Sequence, residues 1–176
     1  KISAINILGE NTKPKEINMY DMRDDVLESA EQHGEPVIGI GHSFGGILSL
    51  LAAAKKPELF QSVILLDPPL FSVHKSALIR LLRALNIEDW LSPSGKSKKR
   101  RDHFESKSQA KSLFQAKKLF KNFHPQTLND YVTHGLTETD SDVELTISVA
   151  KEVAIFHNTL TSFPKNIYKV KGTLLY

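Results

Sequence analysis

The stretch from Pro36 to Lys56, PVIGIGHSFGGILSLLAAAKK, constrains the fold of this chain more than any other segment. It opens with a short run of apolar and glycine residues, passes Ser43, and continues into a long apolar segment rich in leucine and alanine. An apolar run without polar alternation is typical of a parallel strand that is covered on both faces. The residues after the serine predict an almost entirely buried helix, which Pro57 ends.

The segments around this stretch complete an α/β pattern. Residues 62–67, SVILLD, predict a second buried strand, and residues 19–30 have the apolar spacing of an amphipathic helix. We expect two further strands, over residues 2–8 and within residues 168–176. The alternation of strands and helices predicts right-handed parallel crossovers, and therefore a doubly wound parallel α/β sheet.

The sequence between Phe71 and Phe163 predicts a mostly helical insertion. Helices are predicted over residues 74–85, 105–123, 125–134 and 149–156, and an edge strand or hairpin over residues 143–148. An insertion of about 90 residues between two strands of one sheet is too long for a loop, so we expect a subdomain. The predicted division is a core segment over residues 1–71, a helical insertion over residues 72–164 and a returning core strand over residues 165–176.

Composition narrows the classes of function. The chain has 176 residues, of which 40% are hydrophobic and 24% charged, as in ordinary globular domains. No apolar run approaches the roughly 18 residues of a membrane-spanning helix, so we expect no stable membrane insertion and a cytoplasmic location. The net charge of +3 does not predict a nucleic-acid partner. Cysteine is absent and no histidines have ligand spacing on one helix face, which argues against a zinc site or any other metal site.

The five residues Gly41-His42-Ser43-Phe44-Gly45 match the pattern G-x-S-x-G. A nucleophilic serine must stand exposed, reach a base and have its developing oxyanion met by backbone N–H groups. A tight turn from strand to helix projects the serine, and Gly41 and Gly45 relieve crowding that side chains there would cause. We expect the Phe44 N–H to face the oxyanion and the His42 side chain to point into the protein. An ordinary strand-to-helix turn is the alternative interpretation.

With its flanking segments, GIGHSFGGILSLLAAAKKPELFQSVILLDPP, this motif resembles the centre of an α/β-hydrolase fold enzyme with a helical cap. KGTLLY, residues 171–176, is similar to the next core strand of that family. The resemblance implies an esterase-like or lipase-like serine hydrolase that cleaves a small-molecule carboxylic ester or related acyl bond through an acyl-enzyme on Ser43. It implies no cofactor. Hydrolysis of a thioester, a lactone or a carbon–carbon bond uses the same constellation and stays open.

The family's acid usually follows the strand that resembles KGTLLY, and its histidine follows a later strand. The resemblance therefore implies that this chain is an internal piece of a hydrolase, without the usual base and inactive by itself. Asp67 is the acid candidate within the chain, because some family members place their acid after the corresponding strand; an aspartate before two prolines is also an ordinary turn residue. A non-catalytic α/β-hydrolase-like binding or interaction module is the alternative function.

The run GKSKKRRDH, residues 95–103, is strongly basic. It could attract an anionic lipid or an acidic substrate to the cap. The interpretation we favour from the sequence is a solvated loop. The sequence fixes no oligomeric state.

Overall fold

The computed structural model describes residues 2–5, 12–85, 87 and 93–175, without the side chain of residue 93. The chain divides into two compact units. Unit 1 consists of Lys1–Leu91 and Ala154–Tyr176, and unit 2 of Ser92–Val153. The predicted division at residues 72 and 164 stays a prediction.

The secondary structure alternates between helices and strands at the start of the chain and is mostly helical later. In chain order the elements are α1 (Met19–Glu31), β1 (Val37–His42), α2 (Phe44–Lys55), β2 (Phe60–Leu66), α3 (Val73–Ala84), α4 (Pro93–Ser97), β3 (His103–Phe104), α5 (Lys107–Gln115), α6 (Pro125–His134), β4 (Leu136–Glu138), β5 (Val143–Leu145), α7 (Val149–His157) and β6 (Gly172–Leu175). Short 3-10 helices cover Pro14–Glu16, Pro57–Leu59, Lys118–Phe120 and Lys165–Lys169.

Unit 1 contains a three-stranded parallel sheet in the order β1-β2-β6, which confirms the predicted parallel α/β sheet. The register pairs Ile40 of β1 with Ile64 of β2, and Ile64 with Thr173 of β6. Of the strand predicted over residues 2–8, residues 2–5 are in no strand and the rest lie outside the described residues. The strand predicted within residues 168–176 covers Gly172–Leu175.

Helix α2 is the centre of the unit 1 core. It begins directly after Ser43, and nine of its twelve residues are buried: Gly46, Ile47, Leu48, Ser49, Leu50, Leu51, Ala52, Ala53 and Ala54. Helix α1 packs against it, because its apolar residues fall on one face and Met19 and Met22 join the α2 leucines in one cluster. The Asn18 side chain accepts a hydrogen bond from the Tyr20 N–H at 2.8 Å and so caps α1.

The two faces of the parallel sheet differ in burial. Val63 and Leu65 of β2 are buried against Leu50 and Ala53 of α2. On the opposite face, Ile38 is 52% exposed and Ile40 is 64% exposed. The prediction that β1 is covered on both faces is therefore wrong for the described residues, which cover it on one face only. The apolar run correctly predicted a strand. A run without alternation does not, however, show whether each face of the strand is covered by other residues.

Unit 2 contains a small antiparallel sheet in the order β3-β5-β4. The prediction for residues 143–148 was an edge strand or a hairpin, and the structure has the hairpin, formed by β4 and β5. Strand β5 is not an edge strand, because it also pairs with β3. The helix predicted over residues 105–123 is also divided. Helix α5 ends at Gln115, and the 3-10 helix Lys118–Phe120 follows after a short break.

Aromatic side chains form much of the unit 2 core. Phe114 is fully buried, and its ring contacts the rings of Phe104, Phe120 and Tyr131 at centroid distances of 5.4, 5.2 and 5.4 Å. The break after α5 places both Phe114 and Phe120 in this cluster. Such pairs add to the free energy that burial alone contributes.

Candidate functional site

Ser43 occupies the turn between β1 and α2. Its backbone has φ 49 and ψ −118, outside the regions that side chains other than glycine favour. The Ser43 N–H donates to the Leu66 carbonyl at 2.8 Å, and the Gly46 N–H donates to the Ser43 carbonyl at 3.0 Å. These bonds hold the turn between strand β2 on one side and the first turn of α2 on the other. Ser43 is half-buried.

The turn is sterically crowded at Gly41 and Gly46. A Cβ atom at Gly41 would lie 2.3 Å from the Gly45 carbonyl oxygen, and one at Gly46 would lie 2.9 Å from the Gly41 oxygen. A Cβ atom at Gly45 would meet no atom within 4 Å among the described residues. The crowding expected at Gly45 is therefore not found there. The Gly45 backbone is instead the obstacle that requires glycine at position 41.

Phe44 is the first residue of α2. The first N–H groups of an α-helix have no intrahelical acceptor and carry the positive end of the helix dipole. The position of Phe44 next to Ser43 is the one that a backbone donor to an oxyanion needs, and its role as that donor stays a prediction.

Asp67 lies at the same edge of the sheet as Ser43. The two residues directly follow His42 and Leu66, which are register partners in β1 and β2. Asp67 also has a positive φ, 44, and its N–H donates to the Leu175 carbonyl at 2.7 Å. Its side chain is exposed. Among the described residues, no hydrogen bond joins the Asp67 carboxylate to the Ser43 hydroxyl, so its catalytic role stays a prediction.

The histidines do not supply a base to Ser43 in this structure. His42 is exposed, on the same face of β1 as Ile38 and Ile40, so the prediction that it points into the protein is wrong for the described residues. The alternation of side chains along a strand places it there, and nothing described covers that face. His33 contacts the Ser3 hydroxyl at 2.8 Å. Within the part of the chain that the structure describes, no histidine is hydrogen-bonded to Ser43.

One contribution to the turn was not visible in the sequence. The Leu66 carbonyl fixes the Ser43 N–H, and it belongs to a strand that begins more than ten residues after the turn. Only the parallel register, which sets His42 opposite Leu66, could have indicated it. In the described ranges, no group of histidine and acidic side chains could hold a metal ion, and no helix is long and apolar enough to cross a membrane.

Comparison with known proteins gives a consistent result. A profile of the family described as alpha/beta hydrolase fold matches residues 8–112. The chain is 36% identical to a monoglyceride lipase of Rattus norvegicus over 59 aligned residues. The aligned region covers 34% of this chain and 20% of the lipase. This chain therefore spans a fifth of the length of that relative.

Solved structures show the same fold. The chain is similar to the peroxisomal α/β-hydrolase Lpx1 of Saccharomyces cerevisiae, with a TM-score of 0.57, 23% identity, and coverage of 82% of this chain and 40% of that one. It is also similar to E-2-(acetamidomethylene)succinate hydrolase, with a TM-score of 0.57, 18% identity, and coverage of 84% and 48%. The chain spans less than half the length of each.

Proposed function

The chain belongs to the alpha/beta hydrolase fold family, and we propose that within this family it is a serine hydrolase with Ser43 as its nucleophile. The observation that carries the proposal is the Ser43 backbone, with φ 49 and ψ −118 at the turn from β1 to α2. In the proposed reaction the Ser43 hydroxyl oxygen attacks an acyl carbonyl carbon and the alcohol leaves with a proton. Water then releases the acid and restores the hydroxyl.

The strained backbone supports a functional role for Ser43. A non-glycine residue in such a conformation costs about 1–3 kcal/mol and persists only where its surroundings impose it. Glycine would avoid this cost, yet the chain has serine there. The hydrogen bonds to Leu66 and Gly46 and the close approach of Gly41 to Gly45 impose the conformation. Strain of this kind is concentrated at active sites, where it presents a side chain to a ligand.

The proposed oxyanion donor is the Phe44 N–H. It lies at the N-terminus of a helix of 12 residues, so the helix dipole adds positive potential where the tetrahedral intermediate carries its negative charge. Gly41 and Gly45 serve the turn in different ways. Gly41 has no side chain that would clash with the Gly45 backbone, and Gly45 contributes its backbone to the first turn of α2.

Asp67 is the acid candidate that this chain offers, because it follows the strand next to β1 and lies at the same edge of the sheet as Ser43. For the base we propose a histidine other than the seven of this chain, since none of them is hydrogen-bonded to Ser43 among the described residues. We therefore expect no turnover from these 176 residues alone. Ester hydrolysis by the isolated chain that Ser43→Ala abolishes would contradict this expectation.

We propose a carboxylic ester as the substrate class. The rat relative is named for its action on monoglycerides, which are carboxylic esters, and it shares 36% identity over 59 residues. A serine nucleophile with a general base and an oxyanion donor hydrolyses an ester without a metal or cofactor. Thioesters, lactones and carbon–carbon bonds meet the same requirement and are the next substrates to test.

A fluorophosphonate probe tests the nucleophile. The probe phosphonylates activated serines, so we expect it to label the product of the complete coding sequence and to lose that label in Ser43→Ala. Ser49→Ala is the matched control, because Ser49 lies in α2, the helix that follows Ser43, and its hydroxyl donates to the Gly45 carbonyl at 2.9 Å. It should keep the label.

Two results would count against the proposal. Unchanged labelling of Ser43→Ala would exclude Ser43 as the nucleophile. Absence of labelling in the folded wild-type protein would favour a non-catalytic binding module. The supporting observation for that module is that no histidine among the described residues is hydrogen-bonded to Ser43.

A further inference from the structure

Unit 2 contains an open cavity of about 290 Å³ lined by Lys96, Ser97, Arg100, Lys117, Leu119 and Phe120. Three of these six side chains are cationic and none is acidic. The basic residues come from two segments of the sequence, the basic run at residues 95–103 and the break after α5. We propose that this cavity binds a phosphate group carried by a small molecule or by a lipid headgroup.

Arg100 is the fixed element of the cavity. Its Nη1 donates to both carboxylate oxygens of Glu152, at 3.2 and 3.0 Å, and its Nη2 donates to the Tyr131 hydroxyl at 2.7 Å. A guanidinium group has five N–H donors. Among the described residues the Arg100 Nε donates no hydrogen bond, so the guanidinium keeps at least this donor for a ligand. The side chain is held in one orientation and is 26% exposed, so the binding of an anion requires little further ordering of it.

The positive charge around the cavity exceeds the negative charge. Glu152 neutralises Arg100, whereas Lys96 and Lys117 have no ion-pair partner among the described residues. The Lys117 ammonium group lies 5.4 Å from the centre of the Phe114 ring. Burial, and then repulsion from the charges of Arg100 and Arg101, lower the pKa of Lys117. An anion in the cavity would relieve that repulsion.

The chemistry of the lining favours phosphate with an attached organic group. Phosphate offers several acceptor oxygens and up to two negative charges, which match two ammonium groups and a guanidinium. Leu119 and Phe120 form an apolar wall next to these donors. A volume near 300 Å³ is at the small end of ligand pockets, so a small organic phosphate or a single headgroup is the appropriate size.

Binding experiments on the intact protein at fixed ionic strength test the site. The soluble probes are inorganic phosphate and phenyl phosphate, followed by calorimetry. The lipid probe is phosphatidylcholine vesicles with and without phosphatidic acid, followed by sedimentation. The test variant, Lys96→Gln with Lys117→Gln, keeps the Arg100 pair and so spares the fold. The control variant, Lys118→Gln with Lys121→Gln, removes the same charge from exposed positions that do not line the cavity.

We expect the test variant to weaken binding by at least about tenfold and the control variant to change it by less than about twofold. Saturable binding of phosphate or phenyl phosphate with this dependence identifies a soluble ligand. The same dependence seen only with phosphatidic acid vesicles identifies a lipid headgroup. Absence of binding to every probe, or equal weakening in both variants, would overturn the proposal. Ser43→Ala should bind like the wild type, so this test is independent of the proposed catalytic function.

Discussion

The sheets of the two units are each buried on one face and differ in what the other face carries. In unit 2 the exposed face carries polar residues such as His103 and Thr137, whereas in unit 1 it carries isoleucines. In unit 2 the short strands β3, β4 and β5 pack Phe104, Leu136 and Val143 into one buried cluster around Phe114. In unit 1 the longer parallel strands are buried on the α2 side, while Ile38 and Ile40 are 52% and 64% exposed on the other. A strand's apolar content therefore does not measure its burial here. The free energy that a side chain contributes to folding depends on the residues that pack against its face of the sheet.

The largest effect should come from the closed core of unit 2. Phe114→Ala removes a fully buried ring that contacts three other rings, and we expect a loss of about 3–5 kcal/mol. Hydrogen exchange followed by mass spectrometry should show faster exchange in residues 103–145. Leu113→Ala is the control, because Leu113 is the neighbouring residue and is 37% exposed. Similar losses in the two variants would show that the ring cluster is not the core of unit 2.

The open face of the unit 1 sheet can be compared directly with its buried face. Leu65→Ala, at a site that is 6% exposed, should cost about 2–5 kcal/mol. Ile40→Ala, on the opposite face, should cost less than about 1 kcal/mol because its side chain is mostly exposed already. Urea unfolding of both variants measures the difference. A loss at Ile40 as large as that at Leu65 would show that the open face is covered in solution.

The turn at Ser43 provides a matched pair of glycine substitutions. Gly41→Ala should destabilise the protein by about 1–3 kcal/mol, since the new Cβ would lie 2.3 Å from the Gly45 carbonyl oxygen. Gly45→Ala should be neutral or stabilise by up to about 1 kcal/mol, because nothing described lies within 4 Å and alanine favours the helix. Thermal unfolding gives both values. Equal destabilisation would mean that both glycines are needed for steric reasons.

The smallest effect should be a pH dependence in unit 2. The hydrogen bond that His103 donates to the Asp142 carboxylate raises the pKa of His103 above its ordinary 6.5. Hydrogen bonds from Thr139 and then His103 lower the pKa of Asp142 below its ordinary 3.8. The His103 contribution is complete below pH 6.5 and is lost as the pH rises through its folded pKa. The Asp142 contribution is present above pH 3.8 and is lost as the pH falls through its folded pKa.

The interaction between His103 and Asp142 should therefore stabilise the β3–β5 pairing most between about pH 4 and 6.5. A proton NMR titration checks this, because Asp142→Asn should move the His103 pKa down toward its ordinary value. His124, which caps α6, serves as the internal reference. An unchanged His103 pKa in Asp142→Asn would show that the pair does not form in solution.

The sequence predicted those features whose signals are local. Asn18 caps the start of α1 and Pro57 follows the end of α2, and both residues act within a few positions of the helix that they limit. Of the antiparallel sheet of unit 2, the sequence indicated β5 through the alternation over residues 143–148. Strands β3 and β4 were missed, because two and three residues without such an extension show no period-two pattern. The break after α5 has no glycine or proline to mark it. It follows from the packing of Phe114 and Phe120 into one cluster.

The same distinction holds at the two sites. The motif around Ser43 is contiguous, so the sequence predicted the position of the turn correctly. It was wrong about the direction of the His42 side chain and about crowding at Gly45. The phosphate site brings Lys96 and Arg100 together with Lys117, which follows them by about twenty residues, so the basic run alone indicated a solvated loop. Tertiary structure was needed to place Lys117 with the other two.

The covalent intermediate tests the proposed role of Ser43 most directly. The product of the complete coding sequence is mixed rapidly with p-nitrophenyl butyrate, quenched in acid and digested, and the acyl group is located by mass spectrometry. We predict a burst of p-nitrophenol and a butyryl group on Ser43, both absent in Ser43→Ala. A butyryl group on another residue, or ester turnover that persists in Ser43→Ala, would contradict the role of Ser43 as the nucleophile.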